Sequence, residues 1–393
     1  MTKSFSMLIV FLACEFLTPQ SGFSQTKNAE VLRRQQAVSR LLRKGYQLRI
    51  WPSVLSHPVQ GVKIYPVTVK RRVPTPLSEE DFRWLQKYKS LKILQINIVS
   101  ITKEGLTELG KLKQIDNLDL QIVKLTDEGL RAFQGPRPLR ILKIRAAELT
   151  GSGLQHFVGM QNLEQLDLEY CVKLRGESLA SLVKLKKLHT LKLSHTGISN
   201  VGIKNLAGMK SLRNLSLGHA GITDAGIPHF DRIPNLESLD LRFAHITDAG
   251  MLRFKGPLSL KHLRLMNTQV TNHSLGGLLR LKNLRALDFR NTRMNGDGIA
   301  VLAKLKNLNF LSLRNTKLTD NGMREIAELK SLVYLDISET KITDEGLEEL
   351  FDLRTLRSLR LLSTLSTPTG RRDVYLTNRN VRINGSIPDF DKP

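Results

Sequence analysis

From Leu91 onward the chain repeats itself. Units of 24 residues begin at Leu91, Ile115, Leu139, Leu163, Leu188, Leu212, Leu236, Leu260, Leu284, Leu308 and Leu332, and only the unit at Leu163 has 25. Eleven units in register exclude chance. They also lift the usual size limit on a domain, because a stack of units grows by addition rather than around one centre. The unit at Leu332 reads LVYLDISETKITDEGLEELFDLRT. Leu335 and Ile337 alternate inward on a short strand, and Asp336 is expected to face out. Thr340 stands at a turn, where other units hold Thr196, Thr268, Thr292 and Thr316 or the small Cys171, Ala220 and Ala244. Cys171 therefore reads as a structural substitute for Thr, because a buried free cysteine behaves as a small hydrophobe. Thr343 or Asp344 is expected to cap a short helix whose apolar residues Leu347, Leu350 and Leu353 recur every three positions. Basic pairs such as Lys111 and Lys113, Lys184 and Lys186, Arg280 and Lys282, or Lys304 and Lys306 follow these helices, where the helix dipole favours cations.

No unit can bury its apolar face alone, so stacking buries it against neighbours and the ends need caps. Strands about 4.8 Å apart would carry the inner wall over roughly 50 Å. The pattern L-x-x-L-x-L-x-x-T-x-I-T-D-x-G-L-x-x-L resembles the leucine-rich repeat superfamily in its Thr-Asp-x-Gly-Leu form, close to the ribonuclease-inhibitor-like and cysteine-containing types. It is most similar to exported bacterial leucine-rich repeat proteins. The resemblance covers about residues 61–363. It implies an α/β solenoid, an open horseshoe with parallel strands on the concave face and short helices on the convex face, in about 11–12 repeats of 24 residues. It also implies a binding scaffold with no catalytic residues to carry over. Eukaryotic F-box adaptors carry similar repeats, but no F-box helix bundle precedes Leu91.

The ends differ from the repeats. Residues 1–24 read as an export signal: Lys3 supplies a positive start, Phe5 to Leu17 an apolar run, and Gly22 and Ser24 a small-residue cleavage site. Bilayer spanning needs roughly 20 apolar residues, more than this run holds. The expectation is an exported chain, periplasmic, cell-surface or secreted, with lipid anchoring at Cys14 the lesser alternative. Residues 25–60 form a basic N-terminal cap, in which 28–44 are a helix ended by Gly45, followed by strand-like runs at Tyr46–Trp51 and Val62–Val69. Residues 25–72 hold eleven Lys or Arg against Glu30 alone, a net charge of +10 within a chain of formal charge +24. Arg33, Arg34, Arg40, Arg43 and Lys44 are thus an alternative site for a polyanion or acidic membrane surface, beside the structural reading of a solvated cap face. Residues 364–393 form a degenerate C-terminal cap and tail.

No phosphate-binding glycine loop, zinc-ligand spacing or nucleophile elbow occurs. The expectation is a non-enzyme with no cofactor and no metal, and a monomer. His189, His195, His219, His245 and His262 fall near successive strands but read as occupying different columns, with no ligand spacing inside one element. The inner wall is the place to look for a partner. Units at Leu236, Leu260, Leu284 and Leu308 bring Arg242, Arg264, Arg290 and Arg314 near one another, with Phe310 and Tyr334 beside them. Arginine with aromatics is the composition of an interface hot spot. These six residues are the candidate ligand site, for a protein or peptide. The structural reading is that Asp240, Arg264 and Asp288 neutralise one another on adjacent strands as exposed pairs, worth about 0–1 kcal/mol.

Overall fold

The computed structural model describes residues 35–51, 59–66, 75–122 and 124–384. Residues 1–24, expected as an export signal and including Cys14, the cap residues Arg33 and Arg34, and residues 385–393 lie outside the described residues. Among those described, fifteen strands form one open sheet in strict chain order. Residues 35–43 are helical and Gly45 ends the helix at φ +88°, a left-handed turn that glycine adopts without strain. The strand Tyr46–Trp51 follows and pairs antiparallel to Gly61–Pro66, a reversal the repeat pattern gave no sign of. Every later pairing is parallel. From Ile93–Val99 to Ser358–Arg360 each strand sits one repeat from the last: Leu94 opposite Leu118, Leu239 opposite Leu263, Leu335 opposite Leu359.

Leu335, Ile337, Leu347, Leu350 and Leu353 are all buried, so one unit contributes both walls of the core. Each such side chain removed from water stabilises by about 1.5–3 kcal/mol. The convex elements are short, and many are 3₁₀ rather than α: Ser152–Gly159, Gly176–Lys184, Asp224–Arg232 and Ile299–Lys304. An apolar recurrence of three is the period of a 3₁₀ turn, and it is shared by units whose element is α, such as Asp344–Glu348.

The Thr-Asp-x-Gly segment joins neighbouring units. Asp320 accepts from the Thr343 amide at 2.9 Å and from the Thr343 hydroxyl at 2.7 Å, one unit on. Asp224 holds Thr247, Asp248 holds Thr271, and Asp344 holds Thr367 in the same way. Thr343 stands at the helix N-cap position but its side chain makes no capping bond, and Asp344 does not cap its own helix either: it reaches the next unit. Thr247 adds a second bond, accepting from the Ala249 amide. The glycine now has a reason as well. A Cβ on Gly250, Gly346 or Gly370 would run into the carboxylate of Asp224, Asp320 or Asp344. Asp and Gly are therefore one device, the acid of one unit occupying the space that the next unit's glycine leaves.

Cys171 is buried, its thiol donating to the Ile144 carbonyl at 3.4 Å. Burial pushes the thiol up to about 11, so it is not a nucleophile at neutral pH. The N-terminal cap uses its cations internally. Lys44 reaches the buried Asp81 at 2.5 Å and the Ser78 hydroxyl, and Arg40 donates to the Glu80 carbonyl at 2.8 Å. Arg43 is exposed, with Nε on the Ser39 carbonyl.

Candidate ligand-binding site

The candidate site begins with Asp-x-Arg on two strands. Asp240 with Arg242, and Asp288 with Arg290, are two residues apart and share the concave face. Arg242 sends Nε to Asp240 Oδ1 at 2.8 Å and Nη2 to Oδ2 at 2.6 Å; Arg290 repeats the same two distances on Asp288. Each carboxylate also accepts the amide of its arginine at 3.1 Å. That amide bond turns the acid inward at the strand end. The Asp240 side chain is 4% exposed and that of Asp288 0%, against 35% and 29% for their arginines. Burial would raise the Asp240 pKa, but the hydrogen bonds and charge of Arg242 outweigh it and hold the acid below the usual carboxylate range.

This corrects two expectations. Asp336 faces the concave side, where it lines the pocket, but it is buried there rather than exposed and accepts the Ser338 amide at 3.0 Å. Nor are the acid–arginine pairs exposed and chiefly cross-strand. The tight pairs lie within one strand, over buried acids, while Arg264 stands 3.7 Å from Asp240 on the neighbouring strand. Losing one partner of a buried pair costs about 3–5 kcal/mol, well above the surface figure.

Arg242, Arg264, Arg290, Phe310 and Tyr334 line one pocket of about 140 Å³ together with Ser312 and Asp336. The Phe310 and Tyr334 rings stack at 4.3 Å and 5°. Arg314 is not part of it; its guanidinium pairs with Glu339 of the next unit at 2.5 Å. Ser312 was absent from the sequence-derived set. It is 1% exposed, and its hydroxyl has no hydrogen-bond partner among the described residues. An unmade bond of this kind costs about 1–3 kcal/mol.

A second concave feature escaped the sequence reading. His195 and His219 do share a column, and they stack between Tyr170 and Phe243. Ring centres are 4.6, 4.1 and 3.7 Å apart along Tyr170, His195, His219 and Phe243. The Arg145 guanidinium lies 5.7 Å from the Tyr170 ring centre at one end. All four ladder residues have left-handed backbone, with φ of 65°, 57°, 58° and 60°. Asn267, Asn291 and Asn315 take over the column in the following units, at φ 55°, 55° and 51°, with amides bonded in series. Asparagine tolerates this conformation; bulky rings pay about 1–2 kcal/mol each, partly offset by stacking of about 0.5–1.5 kcal/mol per pair. The signal was the eighth position of each unit, which reads Tyr, His, His, Phe, Asn, Asn, Asn in succession. Among the described residues no group of three or more His, Cys, Asp or Glu is placed to hold a metal ion.

A family profile described as Leucine Rich repeat matches residues 184–207, 232–254 and 328–351. No curated protein matches the sequence. Among solved structures, a Leptospira interrogans leucine-rich repeat protein is similar over 77% of this chain and 86% of its own, at 20% identity and TM-score 0.51. A chain of the mouse RP105/MD-1 complex is similar over 80% of this chain and 58% of its own, at 18% identity and TM-score 0.55. An internalin of Listeria monocytogenes is similar over 81% of this chain and 92% of its own, at 16% identity and TM-score 0.48. Identities this low speak for the fold alone. Three repeats are matched by the family profile and the parallel sheet keeps one-repeat register, so the chain has the leucine-rich repeat fold and resembles that family in sequence at those repeats.

Proposed function

We propose that this chain is an exported, non-catalytic scaffold that binds a protein or peptide on its concave face, with the pocket at Arg242, Arg290, Phe310 and Tyr334 as the anchor. The observation that carries the proposal is the preparation of that pocket. Buried Asp240 fixes Arg242 by three side-chain bonds and buried Asp288 fixes Arg290 by two, so little side-chain entropy is left to lose on binding. Arginine and tyrosine held rigidly beside a stacked ring have the composition of binding hot spots. The mouse chain of like fold was solved as part of a complex with MD-1, a use of the fold that the proposal follows. Export rests on residues 1–24. No helix among the described residues is long and apolar enough to cross a membrane.

The test is panning of a displayed peptide library on the chain from Gln25. Selected binders should lose at least tenfold in affinity on Phe310→Ala, and should ignore Lys204→Glu on the convex side. Binders indifferent to every concave substitution would sink the proposal. Capture that disappears at 0.5 M salt and follows Arg40 and Arg43 would favour the polyanion alternative instead.

A further inference from the structure

We infer that the concave pocket takes a carboxylate carried by one small apolar or aromatic group, so that the partner is read through a single acidic anchor. This rests on the concave-face reading above. Size comes first. A volume of about 140 Å³ is close to that of a cavity that admits benzene, so the pocket holds one side-chain-sized group rather than a cofactor.

Chemistry narrows the group. The inner edges of Arg242 and Arg290, Nε and Nη2, are committed to Asp240 and Asp288. Their Nη1 groups remain, and a guanidinium donates only. The Ser312 hydroxyl at the pocket wall has no protein partner among the described residues and can donate as well. The wall also holds the Asp336 carboxylate, which Arg360 faces at 3.8 Å. The donors of Arg242, Arg290 and Ser312 are complementary to a group that only accepts, and a carboxylate does so with the geometry that arginine forks prefer. The stacked Phe310 and Tyr334 rings supply the apolar side.

Charge chooses among anions. Around the pocket Arg242, Arg264, Arg290 and Arg360 stand against Asp240, Asp288 and Asp336. Four positive groups against three negative ones leave a single positive charge, which suits a monoanion better than a phosphate dianion. Arg314 and Glu339 cancel each other. The carboxylate can come from the C-terminus of a partner or from an Asp or Glu side chain.

Chemical-shift titration of the chain from Gln25 tests this with four probes: N-acetyl-phenylalanine, its amide, N-acetyl-glutamic acid amidated at the α-carboxyl, and inorganic phosphate. The two carboxylates should bind at least tenfold better than the neutral amide and than phosphate. Preference for the phenylalanine acid would point to a chain terminus, and preference for the glutamate probe to an acidic side chain; either supports the inference. Ser312→Ala should weaken carboxylate binding about fivefold while raising, not lowering, the thermal unfolding temperature, since it removes a buried hydroxyl that has no partner among the described residues. Equal binding of acid and amide, or tighter binding of phosphate, overturns the inference. If library binders still need Phe310 while acid and amide bind alike, the concave scaffold stands and the carboxylate anchor falls.

Discussion

Asp288 is wholly buried and accepts three bonds from Arg290. Removing the guanidinium takes away the two side-chain bonds and the charge that face this buried acid. Arg290→Gln should therefore destabilise the chain by about 3 kcal/mol in urea unfolding, and adding Asp288→Asn should recover most of it, because the cost lies in the stranded charge. Additive losses in the double variant would refute that coupling. The ring ladder gives a second residue-scale prediction. Burial, His195 and Arg242 hold the His219 pKa below that of an ordinary histidine. The folded chain then favours the neutral ring. Its contribution to stability is complete above the unfolded value of about 6.5 and is lost as pH falls through the lower folded value. An NMR titration should find His219 protonating below ordinary histidine, and His195→Phe should move it upward. Column counting was enough to bring Arg242, Arg264, Arg290, Phe310 and Tyr334 together. It could not show that Asp288 and Asp336 are buried on that face, because strand alternation ignores the amide two residues on, nor that Arg314 prefers Glu339.

At the scale of the element, the Asp–Thr clasp decides how one unit meets the next. Asp320→Ala should cost about 1–3 kcal/mol, the usual worth of hydrogen bonds to a charged group. Thr343→Val should cost a similar amount, and the two together much less than their sum, since they remove the same contact. Gly346→Ala should destabilise through the opposite route, with a methyl pressed against the Asp320 carboxylate. Urea midpoints of the four proteins check all three statements, and a fully additive double variant would show that Asp320 and Thr343 act separately. The Thr-Asp-x-Gly spacing was visible as a repeating motif. Its role was not, because a helix cap and a clasp between units ask for the same residues, and only the backbone decides which amide the acid reaches. The left-handed turn that carries the ring ladder was hidden for a like reason: His195 and His219 are poor markers of that conformation, whereas Asn267, Asn291 and Asn315 are ordinary ones.

Over the whole molecule the clasps form blocks. They run without a break from Asn200 through Asp224 and Asp248 to Asn272, which holds the Asn295 amide, and again from Asp320 through Asp344. Between the blocks lies the segment Asn295-Gly296-Asp297-Gly298, with left-handed glycines at φ +100° and +72° and no Asp–Thr pair. Here Glu325 reaches back from the following unit instead, accepting the Gly298 amide at 3.0 Å and the Ala300 amide at 3.1 Å. In a stack where each unit touches only its neighbours, cooperativity is as strong as the weakest interface. Glu325 holds that seam where Asp224, Asp320 and Asp344 each meet a glycine of the next unit. Glu325→Ala should therefore do more than lower stability by about 1–2 kcal/mol. It should divide unfolding into two steps, with the units after Gly298 exchanging amide hydrogens faster than those from Asn200 to Asn272. The same substitution effect spread evenly over the chain would mean that the seam is carried by the continuous leucine core, not by Glu325. The candidate pocket draws Arg242, Arg264 and Arg290 from one side of this seam and Phe310, Ser312 and Tyr334 from the other. A ligand that bridges it should suppress the second step, so the exchange experiment with and without a selected peptide joins the stability of the stack to its proposed use.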